Sequence, residues 1–409
     1  MKRKLNTQAL HTPYPLQDPY NSLQFPVYEN NAFEFETAEA MEDAFLGKSA
    51  QHTYSRITNP TVSYYEKRIQ QLADAFSVTA LNSGMAAISN VFFTLAWSEA
   101  NIVTSPHLFG NTYSFFASTL KDFGVETRFC DLTNPAEVQK NIDENTCAIY
   151  LEIITNPQLE VADLRQLSAV AKSKQIPLIA DTTIVPFCAF NAKDFGVDIE
   201  VISSTKYLSA GATSLGGLII DYASVEWSGN NRLSDYARQF GKAAFTAKLR
   251  KEIHRNLGAY MTPRAAQMQM LGLETLSLRF YRAASSCLWL AKELQQLSAI
   301  ESVNYIGLSD SPFYTISKSQ FGELPGAMLT FSLSSREACF IFLNKLQLIK
   351  RATNLFDNKS LIIHPASTIY GTFTEEVRHQ MGVKDNLIRL SVGLEEPEDL
   401  LNDIKQALL

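Results

Sequence analysis

The chain has 409 residues, of which 46% are hydrophobic and 19% charged, and its formal net charge is -6. That length suits two domains, and the balance of residues is ordinary for a globular enzyme. The acidic surplus excludes a general binder of nucleic acid or anionic membrane, which needs clustered Lys and Arg, and no stretch approaches the roughly 20 apolar residues of a spanning helix.

The start, Met1 to Asn6, is basic but is followed by no apolar run, so no signal peptide is expected. Residues 1 to 60 show few periodic elements, yet they hold Tyr14, Tyr20, Phe25, Tyr28, Phe33 and Phe35. Disordered tails are poor in aromatics, so this stretch reads as an arm packed on another subunit. Asn59-Pro60 reads as an N-cap with Pro at the first helical position, and Tyr65, Ile69 and Leu72 continue one apolar face.

Asn82-Ser83-Gly84-Met85-Ala86-Ala87 opens an apolar helical stretch through Trp97. Small residues at a helix start expose backbone N–H groups to an anion such as a phosphate, with Gly84 letting the backbone come close; an ordinary turn would also use Ser-Gly. A strand follows at 101–104, a loop at 105–110 and a helix through Leu120. Strands are expected at 124–130 and 147–153, and an amphipathic helix at 163–174. The run Ile176 to Ala180 reads as a buried strand ending in Asp181-Thr182-Thr183. The mostly apolar Ile199-Glu200-Val201-Ile202 leads into Ser203-Ser204-Thr205-Lys206-Tyr207 and then the small-residue segment 209–217. Short apolar runs alternating with helices indicate βα units and a mostly parallel sheet. A polar helical stretch over 225–260 ends the large domain near Gly258, before a long helical region containing 271–294, and the tail from about Leu297 suggests a smaller α/β domain. That domain includes a strand at 327–333 and a helix at 336–346. The expected division is an arm over 1–60, a large domain over 61–258 and a C-terminal domain over 259–409.

Lys206 stands at a strand's exit, where ligand sites of α/β folds lie. A surface lysine after a strand would look the same on this pentapeptide alone. Asp181 precedes it by 25 positions, room for one crossover and the next parallel strand. A carboxylate at one strand end and a lysine at another fit pyridoxal phosphate, with the lysine bonded to the cofactor and the carboxylate paired with the pyridine nitrogen. The alternative for Asp181 is a cap on the next helix. Five scattered cysteines with no C-x-x-C pair suit a reducing cytoplasm, and six dispersed histidines with no H-E-x-x-H point to no metal site.

The chain resembles the fold-type I pyridoxal-phosphate enzymes of cysteine and methionine metabolism, most nearly the O-acetylhomoserine sulfhydrylases. The resemblance rests on Tyr54 to Thr61, Ser83 to Ala87, Asn156-Pro157, Asp181 to Thr183, Ser203 to Lys206, Gly272 to Leu276, Ile363 to Ser367 and Ile388 to Glu395. It implies a large, mostly parallel seven-stranded sheet domain and a smaller C-terminal α/β domain. It also implies a dimer at least, with a tetramer as the family form, in which the arm clasps the neighbour. Tyr54 and Arg56 would then reach the neighbour's cofactor phosphate, although Arg56 could instead pair with a local carboxylate. Ser83, Gly84, Met85, Ser203 and Thr205 would hold the phosphate in their own chain, and Asn156 would lie beside the ring hydroxyl. Arg389, a charge in the apolar run 387–392, would clamp the substrate carboxylate or serve a structural salt bridge. Asn354 would face the same carboxylate.

One position departs from the family. A tyrosine usually stacks on the cofactor ring where this chain has Phe109, in Leu108-Phe109-Gly110. The ring face is kept and the hydroxyl is lost. A carboxylate leaves without prior protonation more readily than a thiolate, so the substitution favours an activated homoserine ester as substrate. The expected reaction is γ-replacement on such an ester. The alternatives are a γ- or β-lyase acting on methionine, cystathionine or cysteine, and a cofactor-binding paralogue with impaired catalysis.

Overall fold

The computed structural model describes residues 3–13 and 18–409. Tyr14, one of the arm aromatics, lies outside them. The larger sheet is built from β1 (Ser77–Leu81), β2 (Asn101–Thr104), β3 (Glu126–Phe129), β4 (Thr146–Glu152), β5 (Leu178–Asp181), β6 (Ile199–Ile202) and β7 (Gly217–Asp221). Their order is β1-β7-β6-β5-β4-β2-β3. The neighbouring pairs from β6 to β3 run parallel, and β7 lies antiparallel between β1 and β6. The seven strands are mostly buried and apolar, as strands covered on both faces must be. Alternation sends Ile149, Leu151, Leu178 and Ala180 into one core and Ala148, Tyr150 and Ile179 into the other.

The arm region is more regular than its sequence pattern suggests. It contains α1 (Leu5–Leu10) and α2 (Ala38–Phe45). Part of it packs on its own chain, against α3 (Pro60–Ala73): Tyr64 Oη donates to the Thr12 carbonyl at 2.7 Å, and Phe25 stacks on Tyr64 with centroids 4.4 Å apart. Such contacts do not depend on helical periodicity, which is why no pattern marked them. α2 is different: none of its residues is buried, and Met41, Phe45 and the following Leu46 are exposed. The cap of α3 is as expected, the Asn59 side chain accepting from Thr61 N.

α4 (Gly84–Leu95) begins beneath the sheet's carboxyl edge, its N-cap Ser83 accepting from Ala86 N at 3.1 Å. The helical region expected around 271–294 is made of two helices, Pro263–Glu274 and Leu276–Leu294. At the break the Gly272 carbonyl accepts from the Arg279 guanidinium at 2.7 Å and Thr275 Oγ1 from Arg279 Nε at 3.1 Å, so a side chain serves groups near the end of the first helix. Gly272 also lets that helix touch the lysine segment, since a Cβ there would lie 2.0 Å from the Leu208 carbonyl oxygen. The smaller sheet follows, from β8 (Ser302–Asn304), β9 (Met328–Ser332), β10 (Lys350–Arg351), β11 (Leu361–Ile363) and β12 (Leu387–Ser391), in the order β10-β11-β12-β9-β8. β12 is antiparallel between β9 and β11, and places Arg389 opposite Thr330 and Ile363.

Candidate active site

A cavity of about 850 Å³ opens at the carboxyl ends of β4, β5 and β6, between the start of α4 and the smaller sheet. Ten of the expected residues line it: Gly84, Met85, Phe109, Asn156, Asp181, Ser203, Thr205, Lys206, Asn354 and Arg389. Strand order explains the convergence. β4, β5 and β6 are neighbours running in one direction, so residues 50 positions apart in sequence leave the sheet at one edge.

Lys206 is half-buried, and its Nζ donates to Asn354 Oδ1 at 2.7 Å. Burial first, and the Arg389 guanidinium second, bring its amine down to about 8, against the opposite pull of Asp181. An ordinary lysine has a pKa near 10.4, so at pH 8 only about 0.4% of it would be the nucleophilic free amine. Here about half is. The rate at which the cofactor-free protein captures pyridoxal phosphate is therefore expected to be half-maximal near pH 8 and level above about pH 9. A capture rate still rising tenfold per pH unit at about pH 10 would mean the amine is not depressed.

Asp181 accepts from Thr183 N at 2.9 Å and is pushed upward by burial, partly offset by the bonds from Thr183 and by Lys206. A buried carboxylate in that condition gains from a cationic partner. Beside it a cradle for an anion is formed. The Ser83 hydroxyl and carbonyl take Ala86 N and Ala87 N, and the Gly84 and Met85 amides have no partner among the described residues. A Cβ on Gly84 would lie 2.7 Å from Ser203 Cβ, so only glycine lets the helix start close on the lysine loop. Thr205 Oγ1 exchanges bonds with the backbone of Gly216, and Ser203 N donates to Thr183 Oγ1. Ser83 itself caps the helix and does not line the cavity.

Arg389 is 2% exposed. It donates to Asn156 Oδ1 and to the Thr353 carbonyl, each at 3.1 Å, while Nε has no partner. No carboxylate pairs with it among the described residues, and burial lowers it to about 10. A guanidinium buried without a counter-ion at a cavity wall suits a carboxylate arriving from solvent, bound through two parallel N–H donors. Because Asn156 gives its oxygen to Arg389, its amide N–H₂ remains available as a donor.

Tyr54 and Arg56 lie outside this cavity. Arg56 donates to the Arg255 carbonyl at 2.5 Å and sits 5.5 Å from the Tyr54 ring, with no carboxylate partner among the described residues. Of the ionisable lining residues among those described, Glu152 was not marked in the sequence; its Oε1 accepts from Phe109 N at 2.7 Å. The available signal was an acid at the end of an otherwise apolar strand. Among the described residues no group of His, Cys, Asp and Glu could hold a metal, and no helix is long and apolar enough to cross a membrane.

The donor set fits pyridoxal phosphate at each end: free helix-start amides for its phosphate, a buried carboxylate for its ring nitrogen and a depressed lysine for its aldehyde. The comparisons with known proteins agree. The family model for the Cys/Met metabolism PLP-dependent enzymes matches residues 6–409. The chain is 35% identical to O-acetyl-L-homoserine sulfhydrylase 1 of Thermus thermophilus, over 99% of this chain and 100% of that one. It is 34% identical to the L-methionine gamma-lyase of Pseudomonas putida, over 98% and 96% of the two chains. A crystal structure of a Campylobacter jejuni protein named as an O-acetylhomoserine (thiol)-lyase superposes with a TM-score of 0.95 at 31% identity, covering 99% of this chain and 100% of that one, and its cofactor is carried on a lysine. With its large α/β sheet and second smaller sheet, this chain has the fold of the fold-type I pyridoxal-phosphate enzymes and belongs to the Cys/Met metabolism PLP-dependent family.

Proposed function

We propose that the protein catalyses γ-replacement on an activated homoserine ester, joining O-acetylhomoserine to sulfide or a thiol with release of acetate. One observation carries this reading beyond the family. Among the described residues the ionisable groups lining the cavity are Glu152, Asp181, Lys206 and Arg389, with no phenol, thiol or imidazole. Glu152 is engaged by the Phe109 amide and Asp181 faces the place of the ring nitrogen, which leaves Lys206 as the group to aid departure of a γ-substituent, and a substituent that leaves as a weak base needs that aid least. The conjugate acid of a carboxylate leaving group has a pKa of about 4 and that of a thiolate about 8.5, so the acyl group is the better match.

Bound pyridoxal phosphate supplies an electron sink for the carbanions formed next to the substrate amine. The chain's own residues do the rest. Arg389 and Asn354 hold the α-carboxylate. Lys206, released when the substrate amine takes its place, carries protons between Cα and the neighbouring carbons. Asp181 would stabilise the charge of the cofactor ring, Phe109 would pack against the ring and Asn156 would serve its hydroxyl. The Gly84 and Met85 amides, with Ser203 and Thr205, would hold the phosphate, and Ser83 caps the helix start that carries those amides. The Cγ–O bond breaks, acetate leaves, and the thiolate sulfur bonds to the same carbon.

The working unit in this reading is a dimer at least, and a tetramer in full, with domains at 61–258 and 259–409 and the 1–60 arm clasping the neighbour. The exposed Met41, Phe45 and Leu46 of the arm and the carboxylate-free Arg56 support it. Tyr54 and Arg56 then serve the neighbour's cofactor phosphate. A cytoplasmic location is part of the proposal, supported by five cysteines that are all free.

The test gives cofactor-loaded protein O-acetylhomoserine, with and without sulfide, and identifies products by mass. Homocysteine formed only with sulfide is expected. Ketobutyrate in both tubes would move the assignment to a lyase, the reading favoured by the 34% identity to the Pseudomonas enzyme. Phe109→Tyr separates a repurposed site from an impaired one. A general acid contributes about 10²–10⁴-fold, so a rate on the ester that changes less than about threefold is expected, and a gain of orders of magnitude would show impairment.

A further inference from the structure

Glu152 lines the cavity yet has no part in the roles given above. It ends β4 directly opposite Asp181 on β5, and alternation points both side chains to the face that meets α4. Its Oε1 takes the Phe109 amide at 2.7 Å. Phe109 has no hydroxyl to anchor its ring by a hydrogen bond, so the backbone contact is the polar tie that sets where this residue sits. A second tie holds the same loop: Tyr370 Oη donates to the carbonyls of Leu108, at 3.0 Å, and Asn156, at 2.5 Å.

We infer that Glu152 is a positioning residue for the cofactor ring, acting as an uncharged carboxylic acid that fixes Phe109 over the ring and leaves the negative charge beneath it to Asp181. Two adjacent buried carboxylates do not both ionise cheaply, and they titrate as a pair. The cationic ring nitrogen takes the charge of Asp181, which leaves Glu152 to hold the proton. Burial, and Asp181 after it, push the Glu152 carboxyl well above the ordinary range, despite the amides of Phe109 and Asn156. The other groups facing it are Tyr150 on its own strand, Tyr370 from the smaller domain, and Lys206 and Arg389 across the cavity. On its far side, across a small pocket, lies Glu160, paired with His107 at 2.6 Å. Glu200 of β6 points to the opposite face, bonded to Thr182 and Tyr222.

The proposal rests on Lys206 carrying the cofactor, and its test compares loaded Glu152 variants with loaded wild type by the visible circular dichroism of the bound cofactor. Glu152→Ala is expected to lose more than about half of that signal, because the stacking ring loses its anchor. Glu152→Gln keeps the acceptor and cannot ionise. It is expected to restore the signal, with the pH midpoint of the lysine-bound band within about 0.3 unit of wild type. A negative charge nearby raises that midpoint, so a fall of about one unit in the Gln variant would mean Glu152 is ionised in the native site and would overturn the proposal. An unchanged signal in the Ala variant would overturn it equally. If the Ala protein does not fold, the midpoint of the near-isosteric Gln variant still decides. Failure of the underlying assignment looks different, since lysine-bound cofactor would then persist in Lys206→Ala.

Discussion

Replacing Lys206 by alanine is expected to abolish the visible absorbance of lysine-bound cofactor and to lower turnover by about 10⁴-fold or more. The size follows from two roles held by one amine. Among the described residues it is the only lysine lining the cavity, so no second amine there can bond the cofactor aldehyde. It is also the group suited to carrying a proton at neutral pH: its amine is depressed to about 8, and Arg389 stays charged. Spectra of the purified variant with added pyridoxal phosphate check the first role, and single-turnover kinetics check the second. A variant that kept lysine-bound absorbance would sink the assignment.

Arg389→Lys is expected to raise KM for the amino-acid substrate by about 10²-fold while kcat falls less than about tenfold, the pattern of a lost ground-state contact. Truncating one partner of a buried charged pair costs about 2–5 kcal/mol, which spans roughly 30- to 4,000-fold in affinity. Lysine keeps the positive charge but gives up the planar fork, which places this change in the lower part of that range. The check is specific. Wild type should favour a substrate acid over its carboxamide by a large ratio, and the variant should lose most of that preference. An unchanged ratio would place the carboxylate elsewhere. The unpaired Nε and the bonds to Asn156 and Thr353 argue for the present placement, because they orient the fork without neutralising it.

Much of this molecule was legible before its structure. The caps at Asn59 and Ser83, the strand ends at Asp181 and Ile202, and the short apolar runs between helices are local signals. Each depends on the chemistry of a few adjacent residues, so each survives in a bare sequence. Resemblance added Asn156, Asn354 and Arg389, and all three line the same cavity as Lys206. The break at Thr275 inside the expected helical region could not be placed from the sequence, because Arg279 reaching back to Gly272 and Thr275 leaves no mark on hydrophobic periodicity. The two short arm helices were missed for a related reason: a six-residue helix and one with no buried residue carry too little apolar face to read.

By itself, then, the sequence determined the order of elements and the residue types of a pyridoxal-phosphate site, because capping, turn chemistry and strand patterning act over a few residues. Tertiary structure alone decided which of those residues stand together and in what charge state. Register brought Glu152 beside Asp181, 29 positions away, and made two ordinary acids into a coupled pair. Folding of the smaller sheet onto the larger brought Arg389 to Asn156 across 233 positions and left its charge uncompensated at the cavity wall. Burial and proximity over such distances set those energies, and they exist only once the chain has closed on itself.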